Sequence, residues 1–219
     1  RLRRDEASVG FWATALPLGF SYLVTLGIPP LLFVQVLYGQ LFYTSSVLIG
    51  GYWILVIPLL ITAYALLYTH KLTSEARPGL KTLAVAVALL AMLSVGYIYV
   101  NNFTLMLAPE RWLAKYAAHP GGMTLNTEEP THGPRFLFFI LPAFAVAGLA
   151  FMLRGAYLAP WGHAEEGRRS RHLGFAAVVV GVIGVLAGAA GLLASFPEHV
   201  RTFVLGGGLP TGLLVAAGR

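Results

Sequence analysis

The chain contains no cysteine, so disulfides, thiolate metal sites and thioether haem attachment are excluded. Charge is scarce as well: 11% of the residues are Asp, Glu, Lys or Arg, against about 25% in soluble domains. None of these charges falls in the middle of a long apolar run. A charge near the bilayer centre costs roughly 2.5–3.5 kcal/mol on insertion scales, and proteins that move protons or ions generally retain one there. This chain retains none. Soluble-enzyme constellations are missing too, with no glycine-rich phosphate loop after a strand, no HExxH and no GxSxG. Accordingly, no catalytic residue and no metal ligand set is assigned.

What is present is hydrophobicity: 57% of the residues are apolar and the mean hydropathy is +0.73. A soluble core could not hide so much apolar surface. The pattern predicts an all-α, polytopic transmembrane helical bundle, a single integral membrane domain over 1–219 with about six spans and the N-terminus inside. The spans fall at about 11–37, 47–68, 80–106, 136–153, 173–196 and 200–217, each near the roughly 20 residues that cross a bilayer. Pro29 and Pro30 are expected to break or kink the first span near its far end. The one long polar stretch, 107–133, contains a short interfacial helix over 108–118 with Trp112, Leu113 and Tyr116. Arg1 to Gly10 lead straight into a span too long for the apolar region of a signal peptide, and the chain starts without Met, as a trimmed or partial chain does.

The formal charge of +6 would suit nucleic acid in a soluble protein, but here the basic residues sit at the ends of apolar runs. They face lipid headgroups, so the expected partners are the bilayer and other membrane subunits, and not nucleic acid. With the N-terminus inside, Arg1, Arg3, Arg4, Lys71, Arg77, Lys81, Arg154, Arg168, Arg169, Arg171 and Arg219 share one side, and Arg111, Lys115, Arg135 and Arg201 the other. This positive-inside bias makes 107–133 external.

Three features invite a functional reading and are set against a plainer one. Gly181, Gly184, Gly188 and Gly191 form a small-residue face that suits internal helix packing, or a seam against a partner subunit. Gly206-Gly207-Gly208-Leu209-Pro210 can unwind the sixth span, as a simple kink or as a transporter-like broken helix. The histidines His70, His132, His172 and His199 lie at span ends and His119 and His163 in loops; all read as solvated or interfacial rather than as haem ligands. Glu128-Glu129 and Glu165-Glu166 read as solvated loop charge.

The order of short motifs resembles cytochrome bd-type quinol oxidase subunit I. Gly27-Ile28-Pro29 with Phe33, Gln35 and Gly39 is similar to a stretched Gly-Ile-Pro-x-x-Phe-x-Phe-Gly element. Asn101-Asn102-Phe103-Thr104-Leu105-Met106 ends a span, Gly121-Gly122-Met123-Thr124-Leu125-Asn126 lies in the external segment, and Gly133-Pro134-Arg135-Phe136-Leu137-Phe138 opens the next span. The resemblance covers about 20–155 and places Arg135, Asn101 and Asn102 close together at the external face, as the cofactor-binding candidates. It also shows departures. Phe138 stands where the family has a haem b ligand, the run from Tyr52 to Tyr68 lacks the family's glutamates, and the quinol loop with its Gly-Arg-Gln-Pro-Trp element is absent. The implied protein is a membrane-integral subunit of a bacterial respiratory electron-transfer complex in the inner membrane, structural or partner-docking rather than oxygen-reducing. No cofactor is assigned to the chain itself; haem b or quinone belongs to the complex, and a periplasmic cytochrome is the partner expected at 107–133. The alternatives are a transporter or channel subunit using the broken sixth helix, and a cofactor-free anchor or assembly protein.

Overall fold

The computed structural model describes residues 2–74 and 76–207. Among them every regular element is helical, and five stretches are long and apolar enough to cross a membrane: Gly10–Leu37, Gly50–Leu72, Pro78–Met106, His132–Trp161 and Ala164–Ser195. The protein is an all-α, multi-pass membrane protein. Of the expected sixth span, 200–217, the part from residue 208 onward lies outside the described residues. The chain divides into two compact units, Arg1–Asn126 and Thr127–Arg219.

In the first unit, α1 (Leu2–Leu37) contains Pro17, Pro29 and Pro30 and is not broken by them. Of the break or kink expected at Pro29-Pro30, the break does not occur. In hydrocarbon no water is present to take up backbone groups, so leaving the helix costs more than the bonds a proline removes. A short helix the hydropathy pattern does not announce, α2 (Gly39–Leu48), follows. It is joined to α3 (Gly50–Leu72) by Ile49 alone, a fully buried residue with φ −106° and ψ 22°.

The third span, α4 (Pro78–Met106), starts with proline in its first turn, where the missing N–H has no intrahelical partner to lose. Its buried residues include Lys81, Ala84, Ala88, Ala91, Val95, Ile98, Asn102 and Leu105, spaced alternately by three and four. That is the a/d stripe of a coiled-coil seam, and it is turned toward α3. Ala88 and Ala91 meet Ala63, letting the backbones approach closely, while Leu48, Ile49, Val56, Val95, Ile98 and Leu105 pack with Trp53 and Tyr99 nearer the other end.

The second unit is a long helical hairpin. Its first arm is α6 (His132–Ile140) continued by α7 (Pro142–Leu158), with Leu141 between them still in the right-handed helical region. A turn through Gly162, at φ 82°, reverses the chain into α8 (Ala164–Ser195). The seam between the arms is built from glycine. A Cβ on Gly148 would lie 2.5 Å from the Gly174 carbonyl oxygen, and one on Gly155 would lie 2.5 Å from that of Gly167. Gly181 meets Ala145, Gly184 meets Leu141 and Gly188 meets Phe138. The small-residue face of α8 is therefore internal packing. The last described elements of this unit are α9 (Glu198–Thr202) and a wide helical turn, Phe203–Gly207, in which Gly206 leaves helical geometry at φ 115°.

Candidate functional site

The polar end of the first unit is assembled around the last turns of α4. Met106 ends that helix, a 3₁₀ turn occupies Pro109–Arg111, and α5 (Trp112–Ala118) follows, within the stretch expected to be helical. Trp112 Nε1 donates to the Leu105 carbonyl at 2.8 Å, serving one of the carbonyls that a helix C-terminus leaves open. Residues 119–126 then run back as a strap over the α2–α3 junction. Gly122 adopts φ 71°, and its carbonyl accepts from the Gly51 N–H at 2.9 Å. A side chain at Gly122 would come within 3.2 Å of the Val47 carbonyl oxygen and the Gly50 nitrogen, while Met123 covers Gly51. Gly51 and Gly122 are thus the two glycines at which these stretches of backbone meet closely.

Two further bonds hold the strap. Lys115 Nζ donates to the Leu125 carbonyl at 2.9 Å, and the Asn126 N–H donates to Asn101 Oδ1 at 2.7 Å. Asn102 Nδ2 donates to Ser46 Oγ at 3.1 Å, joining α4 to α2. Asn101, Asn102 and Asn126 are all buried, as are Thr104 and Thr124. Outward, the same end presents Leu113, 80% exposed, with Tyr116 and Met123 also exposed. Of the three residues the sequence singles out, Asn101 and Asn102 lie in this cluster, each with its own tie. Asn126, which the sequence presents only as the end of its motif, is a further buried member of this cluster. Its signal is a third asparagine at the end of a Gly-Gly loop.

Arg135 belongs to the second unit, in the first turn of α6. Its N–H donates to the Thr131 carbonyl at 2.9 Å, and its buried Nε has no hydrogen-bond partner. His132 begins α6 and is buried, contrary to the solvated position expected for it. Pro134 does not push it into a loop, because proline in a first turn removes an N–H that is free anyway. Haem b, which the resemblance implies at the position after Leu137, does not fit here. Phe138 has no lone pair for iron, and the backbone beneath it is closed: a Cβ on Gly188 would lie 3.1 Å from Phe138 Cα and 3.3 Å from its nitrogen.

His70 Nδ1 lies 3.3 Å from the Lys81 carbonyl oxygen, and His119, His163, His172 and His199 are exposed. Among the described residues no three His, Asp or Glu side chains gather as a metal site. One carboxylate departs from expectation. Glu166 is not loop charge but lies in the first turn of α8, mostly buried, with Arg154 Nη2 2.8 Å from its Oε1. Its neighbour Glu165 is exposed and pairs with Arg168 one turn on, also at 2.8 Å. Acidic residues there complement the positive end of the helix dipole, which is why the helix extends into a segment that looks like a connector. Comparison with known proteins adds no relative: no family model, curated protein or solved structure matches the chain.

Proposed function

We propose that this chain is a non-catalytic, membrane-integral subunit of a bacterial respiratory electron-transfer complex in the inner membrane. In this reading it is built on a scaffold similar to cytochrome bd subunit I, and partner chains carry the haem or quinone chemistry. The ordered motifs from Gly27 to Phe138 support the kinship. The observation that carries the docking role is the strap: it is pinned at Gly51, Asn101 and Lys115, yet it stands beside exposed apolar side chains on α5, Leu113 and Tyr116. A preformed polar frame with apolar anchors loses little freedom on binding, which favours a protein or headgroup-level partner. Tagged protein purified in mild detergent should bring down haem-bearing subunits, and Leu113→Ser with Tyr116→Ser should release them while the variant still inserts. Purification of the chain alone, with no haem in the eluate and no loss in the double variant, would overturn the proposal. A second reading, a transporter or channel subunit, draws on the non-helical backbone at Gly206 and would gain from solute uptake into vesicles holding the chain alone.

A further inference from the structure

Asn126 is fully buried, and neither Oδ1 nor Nδ2 of its side chain has a hydrogen-bond partner among the described residues, while its main-chain N–H donates to Asn101 Oδ1. Asn102, 1% exposed, uses Nδ2 on Ser46 and leaves Oδ1 unpartnered. Each amide offers two N–H donors and two acceptor lone pairs, so Asn126 brings a complete set of unmet valences into the interior. Buried polar groups in native proteins are almost always paired with protein or with ordered water, because an unpaired one costs more than the bond would gain. Leucine has the same branched skeleton as asparagine, with methyl groups in place of the amide oxygen and nitrogen, so the branching alone does not require an amide at this position.

We propose that Asn126 and Asn102 each hold buried, ordered water, and that this water completes the joint between the strap and the helices α2 and α4. The ligand must be small, because both residues are sealed from solvent. It must also donate and accept, because the Asn126 amide presents both functions and the groups bonded around these residues, Asn101 and Ser46, are neutral. Water meets both conditions with two to four bonds per molecule. The inference is independent of which complex the chain belongs to.

The test is made on the full chain in lipid nanodiscs. Radiolytic footprinting with ¹⁸O-labelled water should mark residues beside Asn126 and Asn102 although both are sealed, and a high-resolution map should place water oxygens within about 3.2 Å of the amide atoms. Asn126→Leu should then lower the Tm by about 3–6 °C, since it strips the water of its partners. A dry site predicts the reverse: no label on the neighbouring residues and no density within hydrogen-bond reach of the amide atoms. Density that refines as a cation would equally overturn the proposal. If Asn126→Leu does not accumulate, the footprint and the map of the native chain decide.

Discussion

Gly122 and Gly51 face each other across one hydrogen bond, but they are not equally replaceable. At Gly122 a side chain is opposed twice, by a left-handed backbone that costs roughly 1–2 kcal/mol for an L-residue and by backbone atoms of Val47 and Gly50 that cannot swing aside. At Gly51 the chief obstacle is the flexible end of Met123. Gly122→Ala should therefore lower the Tm clearly more than Gly51→Ala does; equal losses in thermal unfolding would show that the strap is not clamped there. Phe138 makes a second residue-scale case. Because its backbone rests on Gly188, Phe138→His should leave the absorbance of purified protein without a new Soret band even when cells are supplied with haem precursors. At this scale the sequence marks Asn101 and Asn102, since two adjacent amides at the end of an apolar run are conspicuous. Asn126 escapes notice because it sits in a polar loop, where an amide needs no explanation until its burial is known.

The element that departs most from its sequence reading is α8. Gly167, Gly174, Gly181 and Gly188 repeat every seven residues, and a sustained seven-residue period keeps one face toward a partner helix through left-handed coiling. The first member, Gly167, is hidden from a hydropathy reading because Arg168, Arg169 and Arg171 make its surroundings look like a connector, and Gly174 stands at the very edge of the expected span. Glu165 and Glu166 favour the helix start there, and Glu166 also pairs with Arg154 and Glu165 with Arg168. The same kind of blindness hides the α4 seam, whose alanines register as generic apolar residues. Contact at the glycine seam is close enough to separate packing from propensity. Gly174→Ala should destabilise the hairpin by about 1–3 kcal/mol through overpacking, whereas Gly19→Ala, with open space around its Cβ inside α1, should be neutral or stabilising by up to about 1 kcal/mol. Thermal or denaturant unfolding in detergent gives both values, and similar behaviour of the two variants would refute a glycine-dependent seam.

For the whole molecule, fold class is the most legible property, because hydrocarbon admits only helices or closed barrels and the runs are too long and too continuously apolar for barrel strands. Sidedness rests on the distribution of Lys and Arg. The chain has no native cysteine, so single substitutions report it cleanly. Gly121→Cys, at a position with open space, should react with an impermeant maleimide in intact cells, and Glu165→Cys should not. Labelling at 165 but not at 121 would invert the topology. Assignment of function is far less legible, since the motifs that suggest it are short and the residues that would carry its chemistry are replaced.

The clasp between Gly51 and Gly122 also has a consequence for biogenesis. Roughly seventy residues, including all of α4, separate the two halves of the joint, so the ribosome needs about 4–14 s to deliver the second half after the first has emerged. Throughout that interval the α2–α3 elbow waits in the translocon or the membrane with its Gly51 amide unclaimed. The elbow is thus a point at which an insertase or membrane chaperone has time to act before the strap arrives.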